Sequence, residues 1–174
     1  MSLPHENALR ASRKVLSVLV VINVVYGVAI AGLLTWSFLN KDWVITALGV
    51  TPAVDRDSMV RGMRMIAFIG ILGVPLAHVI LTRLLGIVDS VREGDPFIRD
   101  NARRMQNIAW TLLGMQVLHV LIGFVASRTK SEVQQLDIDW SFSITPWIAV
   151  LLLFVLARVF EHGARMRADL EGTV

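Results

Sequence analysis

Four stretches of the chain contain no aspartate, glutamate, lysine or arginine: residues 15–40, 65–82, 105–127 and 140–157. At about 1.5 Å per residue, a helix of some 18 residues covers roughly 27 Å, close to the hydrocarbon thickness of a bilayer. The pattern predicts four transmembrane helices, over about 15–39, 63–88, 105–126 and 146–162. The expected fold class is therefore all-α. It is a polytopic membrane protein forming one domain over residues 1–174, its four helices in an antiparallel bundle with helix ends projecting into the cytoplasm. A cytoplasmic hairpin turn falls at 93–96 and exterior loops at 40–62 and 127–145.

Local signals sharpen the boundaries. Gly94 is the permissive residue expected just past the second helix. Asp95-Pro96 reads as an N-cap followed by a first-turn proline, so the third helix is expected from about Pro96 to Ala126. That length exceeds the bilayer and leaves its first turns in the cytoplasm. Thr145-Pro146 repeats the signal for the fourth helix, which is expected to run on toward Leu170 with Glu161 and Arg165 paired at i, i+4. Within the first exterior loop, Trp43 to Val50 is apolar but too short to span, as expected of an interfacial or re-entrant piece. Asp55-Arg56-Asp57 forms the polar tip of the loop. Leu136 to Ile144 alternates like a strand, but one strand candidate makes no sheet.

The spans carry few polar groups. Asn23 is the strongly polar side chain of the first, beside Gly27, Ala31 and Gly32, whose small size allows close helix approach. Pro75 predicts a kink in the second, with His78 about one turn beyond it. Arg83 stands near enough to the end of that helix to snorkel to the headgroups.

Charged residues make up 18% of the chain, below the roughly 25% of average soluble domains. There is no cysteine, which excludes disulfides and thiolate-held metals. Arg10, Arg13 and Lys14 precede an apolar run too long for a signal-peptide core, so the first run is read as an uncleaved span. Eleven of the 17 Lys and Arg residues fall in the leader, the middle connection and the tail, against six in the other two loops. The positive-inside rule then places both termini and the Gly94 turn in the cytoplasm. A net charge of +3, divided among the loops, does not argue for direct nucleic-acid binding.

Two histidines, His78 and His119, lie deep in the spans. Ionisable groups there are functional candidates because lipid is a costly environment for them. On antiparallel helices they can face each other and hold a metal or haem, or relay a proton. The competing reading is packing, with each imidazole bonded to a helix carbonyl, Asn23 or Gln116. No carboxylate lies in the span cores to complete a metal site, and no cofactor is expected. Arg99, Arg103 and Arg104 form the densest basic cluster. It is suited to an acidic partner or anionic headgroups, or simply to fixing topology. Asp95 is read as a cap rather than a catalyst, and Phe97 as packing beneath the turn. The tail from Asp169 is polar and loosely structured by composition. Catalytic triads, HExxH and phosphate-binding loops are absent from the sequence, so an enzyme is not expected.

GDPF at 94–97, followed by Asn101, Arg103 and Arg104, and the tail ending in Thr173-Val174 resemble a bacterial membrane-protein family, domain of unknown function 2975. The resemblance covers nearly the whole chain. Members' genes often lie beside one for a small Cro/C1-type helix-turn-helix regulator. The resemblance therefore implies a regulatory or sensory membrane protein that docks such a regulator. The residues it would use are Gly94, Asp95, Pro96, Phe97, Arg99, Asn101, Arg103 and Arg104, with Asp169, Leu170, Glu171, Thr173 and Val174 of the tail. The alternative function is an accessory, transport or redox subunit of a larger membrane complex using the two histidines. The lipid bilayer is the constant partner under either reading, and self-association into a homo-oligomer is a further arrangement the bundle permits.

Overall fold

The computed structural model describes residues 4–40, 43, 46, 56–128 and 143–171. They form four helices: α1 (Pro4–Leu39), α2 (Arg56–Arg92), α3 (Arg99–Arg128) and α4 (Thr145–Glu171). Each contains a stretch long and apolar enough to cross a membrane, and no strand occurs among the described residues. Large apolar side chains point outward along these stretches: Val28 is 69% exposed and Leu151 63%. Water would penalise such a surface, whereas hydrocarbon does not. The chain is an integral, multi-pass membrane protein.

Neighbouring helices run antiparallel, and specific contacts fix each register. Between α1 and α2, Arg13 Nε donates to Asp89 Oδ1 at 2.8 Å at one end. At the other, Arg64 Nε donates to Ser37 Oγ at 3.0 Å and its guanidinium lies 4.2 Å over the Phe38 ring. Midway, Asn23 Nδ2 donates to the Val74 carbonyl at 3.1 Å. A side chain at Gly27 would come within 2.7 Å of Val74 Cγ1, so the glycine is what lets the two helices meet there. Between α2 and α3, Gly86 faces Arg104 and Leu76 faces Gly114. Between α3 and α4, Trp110 meets Phe154 edge-on, ring centres 5.1 Å apart.

The buried core is small and concentrated on the last pair. Ala102 and Ala109 on α3, and Val150, Ala157 and Ala164 on α4, recur at seven-residue intervals. Small residues at that spacing form a seam along which two helices can pack closely over several turns. Among the described residues each helix packs on its neighbours in sequence, and α1 does not touch α4. The bundle is open along that side.

Several boundaries differ from the sequence reading. α2 begins at Arg56, so Arg56 and Asp57 belong to a helix rather than to a solvated loop tip. Pro75 lies inside this helix, where the sequence places it. α3 begins at Arg99, three residues after the expected Pro96. Asp169–Glu171 are the last residues of α4 rather than a loose tail. The strand-like run at 136–142, most of the apolar piece at 43–50, Asp55 and Thr173-Val174 lie outside the described residues.

Candidate functional site

The end of the molecule that carries the 93–98 turn also carries the start of α1 and the end of α4, and its polar groups are organised in two layers. The turn itself opens with a Schellman motif. Gly94 takes φ +87°, its N–H donates to Val91 O at 3.1 Å, and the Asp95 N–H donates to Ser90 O at 3.0 Å. Glycine is favoured here because an L side chain resists that backbone conformation. Asp95 is thereby turned toward α4, where its carboxylate pairs with Arg167. It therefore does not cap α3. Instead the Ile98 carbonyl accepts the first helical N–H groups, from Asn101 at 3.0 Å and Ala102 at 3.4 Å. Phe97 reaches across to α4, stacking on Phe160 with ring centres 5.3 Å apart and lying against Gly163. A methyl at Gly163 would sit 3.2 Å from the Phe97 ring, so the aromatic contact uses the space a glycine leaves.

Asn101 is fully buried. Its amide donates to Ser90 Oγ at 2.6 Å and to the Pro96 carbonyl at 2.9 Å, and its oxygen accepts from Arg104 Nη1 at 2.8 Å. Arg104 Nη1 also donates to the Gly86 carbonyl at 2.9 Å, and Ser90 Oγ donates to Ile87 O at 2.8 Å. Gly86 again makes room, since a Cβ there would fall 2.9 Å from Arg104 Nε. Both amide hydrogens and the oxygen of Asn101 are satisfied, as a buried polar side chain requires. Asn101 therefore has no surface to offer a partner, and Arg104 is directed inward rather than joining Arg99 and Arg103.

Those two arginines share the opposite face of α3. Together with Arg158, Glu161 and Arg165 of α4 they line a cavity of about 740 Å³, floored by Trp110 and Phe154. Glu161 bridges the two α4 arginines, accepting from Arg158 at 3.0 Å and from Arg165 at 2.6 Å. Arg103 lies 3.8 Å from Asp100. Arg99 has no hydrogen bond or ion pair among the described residues. The sequence pairs Arg165 with Glu161, as the structure does, but its local pattern does not place Arg158 and Arg165 with Arg99 and Arg103. Their seven-residue spacing on α4, matching the alanine seam beside it, was the available signal.

The histidines are not brought together. The α2–α3 register set by Gly86 with Arg104 and Leu76 with Gly114 puts His78 level with Leu112 and His119 level with Ile71. The seven-residue offset separates their backbone positions by about 10 Å along the helices. Among the described residues no group of three histidines, aspartates or glutamates gathers as a metal site. Gly94, Asp95, Pro96, Phe97 and the start of α3 do cluster with the end of α4. Asp169 lies on its last turns with Leu170 and Glu171.

A family model described as "Protein of unknown function (DUF2975)" matches residues 40–174, leaving α1 outside the match. No curated protein and no solved structure matches the chain.

Proposed function

The chain belongs to the DUF2975 family, and from the way its hairpin is tied to α4 we propose that it is a non-enzymatic regulatory protein of the bacterial inner membrane. Both termini are cytoplasmic in this reading, following the lysine and arginine distribution. It holds a small cytoplasmic helix-turn-helix regulator of the Cro/C1 type at the surface formed by the turn and the end of α4. The observation that carries the reading is the double tether of the turn to α4, through Phe97 on Phe160 and through Asp95 with Arg167. Two chain segments distant in sequence thereby become one platform, attached directly to the spans. A rearrangement of α3 against α4 in the membrane moves the surface that a partner reads.

Affinity purification of the tagged full-length protein from native membranes, followed by mass spectrometry, tests this. The expected result is a small DNA-binding protein, lost on deletion of Asp169–Val174. Recovery of no DNA-binding protein, with or without the tail, would overturn the reading.

A further inference from the structure

We propose that the α3–α4 groove binds the headgroup phosphate of an anionic phospholipid, with an acyl chain lying against Trp110 and Phe154. The site does not depend on the regulatory reading. Its lining carries four arginines against one glutamate, and both oxygens of that glutamate are already bonded to Arg158 and Arg165. Arg99 is without a partner among the described residues, and the Arg103–Asp100 pair at 3.8 Å is loose and exposed. These guanidinium groups retain donors in the forked geometry that suits a phosphate.

The position of the groove selects a lipid over a soluble anion or an acidic protein. Arg103 and Arg158 stand at or next to the last charged positions before the charge-free runs 105–127 and 140–157. They therefore mark the headgroup level on both helices. Trp110 lies seven residues inside Arg103, and Phe154 four residues inside Arg158. The aromatic floor is thus roughly 6–10 Å deeper, at the level of the acyl chains. Trp110 is 59% exposed. One cavity therefore joins a cationic mouth at headgroup depth to an aromatic floor at hydrocarbon depth, which is the polarity profile of an anionic lipid. A water-soluble protein has no access to the floor.

The test is a titration of the full-length protein in detergent with dioleoyl-phosphatidylglycerol, dioleoyl-phosphatidylcholine or inorganic phosphate. Bound lipid is counted by native mass spectrometry and dissociation followed by thermal unfolding. The anionic lipid is expected to bind and raise the unfolding temperature, with phosphatidylcholine and free phosphate far weaker. Arg99→Gln with Arg103→Gln should weaken the anionic lipid about 30-fold, the product of two lost phosphate contacts. Trp110→Ala should weaken it as well while leaving the charges in place. Arg83→Gln, which removes an exposed charge from α2 outside the groove, should leave it unchanged. Should the double variant fail to fold, Arg99→Gln alone decides, with about a fivefold loss expected. An equal loss in Arg83→Gln would reduce the effect to general charge attraction and overturn the proposal. So would phosphatidylcholine binding as tightly as phosphatidylglycerol, or free phosphate matching the lipid.

Discussion

On its α2 side, α3 begins with Asn101 and Arg104; on its α4 side, with Arg99 and Arg103. All four come from one run of charged and polar residues, yet the two sides are built differently. Asn101 and Arg104 bond Ser90, Pro96, Gly86 and each other at 2.6–2.9 Å. Arg99 and Arg103 open onto a cavity, with one exposed pair at 3.8 Å between them and their neighbours. Burial next to the membrane makes each unmet polar group expensive, so the α2 side must be complete to be stable at all. The α4 side is under no such constraint and can keep donors for a ligand. An arginine's role at this end follows from what its donors reach, and density of charge along the chain does not reveal it.

The largest effect that can break this contrast is expected at Asn101. Asn101→Leu strands the Pro96 carbonyl and deprives Ser90 and Arg104 of a partner in a fully buried site. It should destabilise the protein by about 3 kcal/mol, measured by unfolding in detergent. A loss below about 1 kcal/mol would mean that water reaches the site and that the two sides of α3 do not differ as described.

A matched pair of arginine substitutions sharpens the comparison. Arg104→Gln removes charge-assisted bonds to Gly86 O and Asn101 Oδ1 and should cost about 2 kcal/mol. Arg99→Gln, on the open side, should change stability by less than about 0.5 kcal/mol. Each variant loses one positive charge, so net charge cannot account for a difference between them. Equal effects in the same unfolding measurement would erase the distinction.

The sequence made the membrane architecture readable because the charge-free runs are a one-dimensional property. Four helices, the Gly94 turn and the Glu161–Arg165 pair all followed from residues within a turn or two of one another. What was not readable depends on the register between helices. Asp95-Pro96 carries a strong local cap signal, but Arg167, 72 residues away, takes the carboxylate, and Phe97 is drawn onto Phe160. The helix starts at Arg99, after the segment whose Asp95 and Phe97 reach α4. The same blindness to register joined Arg104 to Arg99 and Arg103, and left Arg158 and Arg165 out of the groove. It also left open whether His78 and His119 face each other, and the register offsets their backbone positions by about 10 Å along the helices.

The smallest effect concerns the tether that links the turn to α4. The Asp95 and Arg167 side chains are 38% and 46% exposed, so their pair sits in a largely solvated setting. Exposed ion pairs contribute little, because attraction in high dielectric is offset by ordering two flexible side chains. A double-mutant cycle of Asp95→Asn and Arg167→Gln should give a coupling of about 0.5 kcal/mol, falling as salt is raised. Phe97→Ala should exceed either single change, since it empties the contact on Phe160 and Gly163. The aromatic contact is then the mechanical hold and the ion pair only sets the angle of the turn. A coupling well above 1 kcal/mol would reverse that order and place the pair in a desolvated network. The turn would then belong with the closed side of α3 rather than with the open one.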